Sequence, residues 1–184
     1  MKGVIFNLLE DIVRAEHGDQ AWDTLLHAAQ LKGAYTSLGS YPDADLVKLV
    51  EAASAMLQQS PDQIVRWAGR QALPRLARKF PGFFACHSST RPFILTLNRI
   101  IHPEVRKLYP GADVPEFDFD TSSEEFLVMG YSSPRRLCAF AEGLVEGAAA
   151  QYGETVRFEH LKCMKRGDKK CVFRIAFDRK KAAP

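Results

Sequence analysis

Tyr131, Ser133 and Arg135 occupy alternate positions of the segment Tyr131-Ser132-Ser133-Pro134-Arg135. On an extended chain that spacing places three hydrogen-bond donors on one side. The set suits a ligand with two carboxylates, because Arg clamps one bidentately while the hydroxyls take remaining lone pairs. Upstream, His102 lies on an otherwise apolar helical stretch, where a neutral imidazole can bind a metal. Haem joins the two requirements, with an iron that takes an axial ligand and two propionates that take donors. Each part has a plainer reading: His102 as a core histidine bonded to a carbonyl, and Ser133 as a helix cap.

A second constellation is Cys138, His160, Cys163 and Cys171, four nitrogen and sulfur ligands of the kind closed zinc sites use. Cys163 and Cys171 flank a hairpin turn expected at Lys165-Arg166-Gly167-Asp168, and Cys138 comes from the preceding helix. A Zn2+ ion there would staple helix to sheet. His160 and Cys163 are an odd number apart and would face opposite sides of a regular strand, so a bulge or strand end near Leu161 is required. Cys86, beside His87, is left over as a buried or loop thiol.

These residues need elements to hold them. Ile5, Leu8, Leu9, Ile12 and Val13 recur at helical spacing until Gly18, and Asp19 is placed to cap a second helix bearing Trp22, Leu25, Leu26 and Ala29. Tyr41-Pro42-Asp43 opens a third. Ser60-Pro61 starts a fourth, with Ile64, Val65, Ala68, Ala72, Leu73 and Leu76 inward, ended by Phe80-Pro81-Gly82. Arg91-Pro92 begins a helix running through Phe93, Leu97, Ile100 and Ile101 to His102, with a bend where Pro103 lacks a backbone donor. From Tyr109 to Pro115 the chain reads as a loop, and Asp118 and Asp120 as acids on a polar loop. Strands are expected at 124–130, 156–162 and 171–177, and Ser133-Pro134 opens a helix with Leu137, Phe140, Ala141, Leu144, Val145 and Ala148 on one stripe. Helices followed by an antiparallel sheet define an α+β fold.

At 184 residues, 46% hydrophobic and 26% charged, the chain suits one soluble domain with a sizeable core. A net charge of +3 is too weak to imply nucleic acid. No stretch approaches the roughly 20 apolar residues that cross a bilayer, so no membrane role is expected. Glu10 and Asp11 interrupt the first apolar run, which therefore reads as mature structure in a cytoplasmic protein. Arg179-Lys180-Lys181 begins a solvated tail, 179–184. No nucleophile–base pair, phosphate loop or paired carboxylates stand out, so no enzyme activity is expected.

Taken together, His102, the Tyr131-x-Ser133-x-Arg135 pattern and Pro115 resemble the haem-nitric oxide/oxygen-binding (H-NOX) family, from Met1-Lys2-Gly3 to about Phe177. The resemblance implies haem b buried between a distal helical subdomain, 1–60, and a proximal subdomain, 61–178. It makes His102 the axial ligand and Tyr131, Ser133 and Arg135 the propionate clamp, with Pro115 pressing on the haem plane. It lines the distal face with Ile5, Leu9, Ala72, Phe140 and Leu144. Oxygen-binding members carry a tyrosine at the position of Phe140, so the expected ligands are nitric oxide and carbon monoxide. A subset of the family carries zinc at positions matching Cys138, His160, Cys163 and Cys171. The function implied is a gas sensor in which nitric oxide releases His102 from iron and shifts the two halves. The signal would pass to a separate protein, a histidine kinase or a cyclic-di-GMP enzyme. The competing reading, from another class, is a zinc-thiolate adaptor that senses oxidation without haem.

Overall fold

The computed structural model describes residues 1–179. Three helices come first: α1 (Gly3–His17), α2 (Asp19–Ala29) and α3 (Asp43–Leu57). Phe6, Trp22, Leu25, Ala29 and Leu49 bury one core among them. Gly18, at φ 90°, is the residue preceding α2, and Asp19 is the helix's first residue rather than its cap. The long α4 (Pro61–Lys79) follows, entered through a capping box in which Ser60 and Gln63 satisfy each other's backbone N–H groups.

The helix expected to lead straight into His102 is broken into pieces. A short α5 (Thr90–Ile94) gives way to a π turn, Leu97–Ile101, and α6 (His102–Leu108) begins at the histidine itself. Thr96 O accepts from both Ile100 and Ile101, and His102 N–H reaches back to Leu97 O. Pro103 can donate no bond to this ladder, so a regular turn has less to gain here. Ile100, one of the apolar residues on this stretch, is 49% exposed.

A four-stranded antiparallel sheet follows, in the order β1-β2-β4-β3. Its strands are β1 (Glu116–Asp120), β2 (Phe126–Ser132), β3 (Glu154–Lys162) and β4 (Cys171–Arg179). Asp118 and Asp120 therefore lie on an edge strand, not a loop. Phe117 and Phe119 alternate with the acids, and that short alternation is the overlooked strand signal. β2 starts and ends two residues later than expected, which puts Tyr131 inside it, paired with Cys171 and Phe117. Ser133 does not cap the next helix. Its Oγ accepts from Arg135 N–H at 3.3 Å, its carbonyl from Arg136 N–H, and Arg136 turns to φ 51°. The helix α7 (Cys138–Gln151) starts only after this turn. Arg179, expected in the tail, ends β4; the rest of that tail lies outside the described residues.

Helix α7 packs on one face of the sheet with Ala141, Val145 and Ala148 in the same core as Leu127, Met129, Phe173 and Ile175. Its other side meets α4 backbone to backbone. A Cβ on Gly143 would stand 2.0 Å from Arg66 O, and one on Gly69 would stand 2.5 Å from Phe140 O. Gly143→Ala must push the helices apart, and overpacking of this kind costs about 1–3 kcal/mol. Chemical denaturation should show a loss of that order, whereas Gly82→Ala, where a Cβ meets nothing, should be near neutral.

Candidate functional site

A cavity of about 1030 Å³ lies between the α1–α4 side and the sheet side, at the upper end of small-molecule sites. His102, Pro115, Tyr131, Ser133 and Arg135 all line it, as do Ile5, Leu9, Phe140 and Leu144. Ala72 does not. It is fully buried beside Leu8 and Ile12, and Leu73 and Leu76 of α4 face the cavity instead. Both leucines were legible as part of α4's apolar stripe, but periodicity cannot say which part of a stripe borders a void. Leu97 and Ile101 of the π turn line it as well, and so does Val105 of α6, which the sequence pattern had not singled out.

His102 enters the cavity from the first residue of α6. Burial, and secondarily the charge of Arg106, push its pKa down to about 4, so the imidazole is neutral and keeps a lone pair. Its Nδ1 is buried with no hydrogen-bond partner. Asn98, within the π turn, holds this segment to β1, with Nδ2 donating to Phe117 O at 2.5 Å and Oδ1 accepting from Phe117 N–H at 3.4 Å. A neutral histidine with an unpartnered ring nitrogen in a mostly apolar cavity fits a metal ligand.

At the polar end, Arg135 is anchored by acids from both sides. Its Nε lies 2.9 Å from Asp43 Oδ2, at the start of α3, and its Nη1 lies 3.0 Å from Asp113 Oδ2 in the loop before β1. Asp43 also meets the Met1 ammonium at 2.7 Å. The guanidinium is thus fixed at the cavity edge, where it can meet an anion. Tyr131, 3% exposed, accepts from Leu137 N–H at 3.1 Å through its hydroxyl oxygen, so it caps α7 where no helix-cap side chain does. The hydroxyl proton stays free for a second partner. A histidine, an arginine and two hydroxyls around one apolar cavity fit haem's iron and propionates.

The second constellation also assembles. One ligand atom each from Cys138, His160, Cys163 and Cys171 can be chosen so that all four lie within 4.8 Å of one another. The strand irregularity that the odd spacing demands is present: His160 pairs with Phe173 and Lys162 with Val172, with Leu161 pushed out between them and 40% exposed. After the bulge, Cys163 N–H donates to Asp168 Oδ2 at 2.7 Å and Met164 N–H to Cys171 Sγ at 3.3 Å. Burial, then the neighbouring Cys171 and Cys163, push the Cys138 thiol up to about 12. The group can hold a metal ion. Cys86 stands apart on an exposed turn.

The family model described as Haem-NO-binding matches residues 2–160. The chain belongs to this family. An H-NOX protein from S. oneidensis, solved in the Fe(II)NO ligation state, is 31% identical, with a TM-score of 0.90 over 97% of this chain and 100% of that one. The H-NOX domain from Shewanella oneidensis in the Fe(II)CO state is 31% identical, with a TM-score of 0.88 over 98% and 100%. The Fe(II) unliganded H-NOX protein from K. algicida is 25% identical, with a TM-score of 0.84 over the full length of both. A search among curated proteins returned no match. The α+β fold is therefore that of H-NOX proteins, and family membership implies haem and a sensor role. Cys163 and Cys171 lie beyond the span that the family model matches. Among the described residues, no helix is long and apolar enough to cross a membrane.

The capping role of Tyr131 in this H-NOX chain is open to direct measurement. Tyr131→Phe removes the acceptor of a part-buried backbone N–H, which costs about 0.5–1.5 kcal/mol. Urea unfolding should show a loss in that range in haem-free protein as well, since the bond does not involve a ligand.

Proposed function

We propose that this H-NOX chain holds haem b through His102 and senses nitric oxide, passing the signal to a separate protein such as a histidine kinase or a cyclic-di-GMP enzyme. The observation that carries the reading is the convergence of His102 and the Tyr131, Ser133, Arg135 trio on one cavity. When bound, haem would supply a ferrous iron that can take up a diatomic gas. Arg135, prealigned by Asp43 and Asp113, would clamp a propionate, with Tyr131 and Ser133 offering hydroxyls. Pro115 would bear on the macrocycle from the loop before β1. His102 is the residue placed to report the gas. It sits between a π turn and Pro103, where the helical ladder is already interrupted, so α6 can shift without breaking a continuous helix. Asn98 would carry that shift to β1.

The proposed gas choice rests on the residues that the family resemblance sets around a bound gas. Ile5, Leu9, Phe140 and Leu144 carry no hydrogen-bond donor on their side chains. A buried bond to a charged acceptor is worth about 1.5–3 kcal/mol, roughly ten- to a hundredfold in affinity. Dioxygen needs such a donor and nitric oxide needs it far less. The purified ferrous protein should therefore change its visible spectrum with nitric oxide and with carbon monoxide but form no stable oxygen complex. Phe140→Tyr should bring a measurable oxygen complex, only partly stabilised because Ala72 and Leu9 cannot orient the phenol. His102→Gly should lose haem unless imidazole is supplied; unchanged spectra in that variant would end the axial assignment.

We propose further that Cys138, His160, Cys163 and Cys171 bind Zn2+ as a structural staple. The three cysteines are at most 6% exposed, which shields the thiolates from oxidants and favours the staple over a redox-sensing adaptor. Metal analysis should find about one zinc per chain. Cys171→Ala should lose it and lower the melting temperature of the β3–β4 hairpin, whereas Cys86→Ala should change neither.

A further inference from the structure

Glu142 is a buried carboxylate that neither the haem reading nor the four-ligand set uses. It lies on α7 one turn after Cys138 and is 8% exposed. Its Oε2 stands 2.9 Å from Arg66 Nη1 on α4, and its Oε1 stands 3.3 Å from His160 Nδ1 on β3. The other ring nitrogen, His160 Nε2, is buried with no hydrogen-bond partner. The imidazole also packs against the Phe173 ring, with centroids 4.3 Å apart and the planes tilted by 34°, which limits its freedom to turn.

We propose that Glu142 is the positioning residue of the metal centre: it accepts the Nδ1 proton of His160 and so presents Nε2, with its lone pair, to a divalent metal held by the three thiolates. A neutral imidazole carries one proton on either nitrogen, and the tautomer that serves a metal is set by the bond the other nitrogen makes. Glu142 has the geometry for this because both of its oxygens are committed. One faces His160, and the other is charge-paired with Arg66. Arg66 is itself held by Glu146 at 2.5 Å and lies over the Phe158 ring at 5.5 Å. The sequence β3–α7–α4 is thereby joined through His160, Glu142 and Arg66. A second link, Lys165 to Asp62, ties the loop after β3 to the start of α4. Metal at the sheet end would thus fix the helix whose Leu73 and Leu76 line the large cavity.

This inference rests on the zinc reading, and the test separates the two. Zinc is measured in the protein as purified, and its release is timed by transfer to a chromogenic chelator. Glu142→Ala should release zinc roughly ten- to a hundredfold faster, the usual effect of removing an outer partner of a ligating histidine. Glu146→Ala, which takes a carboxylate from Arg66 but not from His160, should stay within about twofold. Cobalt(II) substituted for zinc should show shifted visible bands in Glu142→Ala and unshifted ones in Glu146→Ala, a change that loss of a merely structural ion pair does not produce. A long-range proton–nitrogen NMR spectrum of the zinc-loaded wild type requires no variant to fold. It should show His160 protonated at Nδ1 and metal-bound at Nε2. The reverse tautomer, or release from Glu142→Ala at the wild-type rate, overturns the role of Glu142 while leaving zinc in place. A wild-type protein that holds neither zinc nor cobalt overturns both.

Discussion

Everything in this fold depends on how closely α4 and α7 approach. Gly69 on one helix and Gly143 and Gly147 on the other let backbone meet backbone where any side chain would hold them apart. With that contact made, α7 has three different neighbours around its circumference. Ala141, Val145 and Ala148 press into the sheet, Phe140 and Leu144 face the cavity, and Cys138 and Glu142 turn toward the metal-ligand cluster. One helix of modest length thus serves the core and both candidate sites, which explains why it is apolar on nearly every side.

The cavity owes its character to irregular backbone at its edges. His102 is delivered by a π turn and followed by a proline, so the segment that holds it has fewer internal bonds than a regular helix. The trio at the polar end is similarly split. Tyr131 is locked in β2 and spends its acceptor on the start of α7, while Ser133 and Arg135 sit on the turn that follows. Rigidity on that side comes from Arg135, whose guanidinium draws acids from α3 and from the loop before β1 into one ion-pair cluster. The helical N-terminal part and the sheet part therefore touch through charge at the cavity edge and through apolar packing deeper in.

Beside the start of α7 the bulge at Leu161 solves a parity problem. A regular strand would send His160 and Cys163 to opposite faces, and the extra residue between His160 and Lys162 brings them to one. The carboxylate of Glu142 then connects this cluster back to α4, so the two candidate sites share a helix pair without sharing a ligand.

The chain alone determined a good deal. The apolar periods of α1 to α4, the Ser60 cap and the alternation of β4 are local patterns, and the residues of both candidate sites could be picked out by type and spacing. The bulge at Leu161 was also legible, because two ligands an odd number apart leave a strand no other way to present them. The fragmentation of the helix before His102 was not, since whether a π turn replaces a regular one is settled by competing bonds from Thr96, Asn98 and β1. Nor was the shift of α7's start to Cys138, which depends on a tyrosine hydroxyl from the neighbouring strand acting as the cap. Ala72 and Leu73 differ by one position on an apolar stripe, yet one is sealed in packing and the other borders the cavity. Periodicity reports which side of a helix avoids water. Only the packed neighbours decide whether that side meets another side chain, a backbone or an empty space.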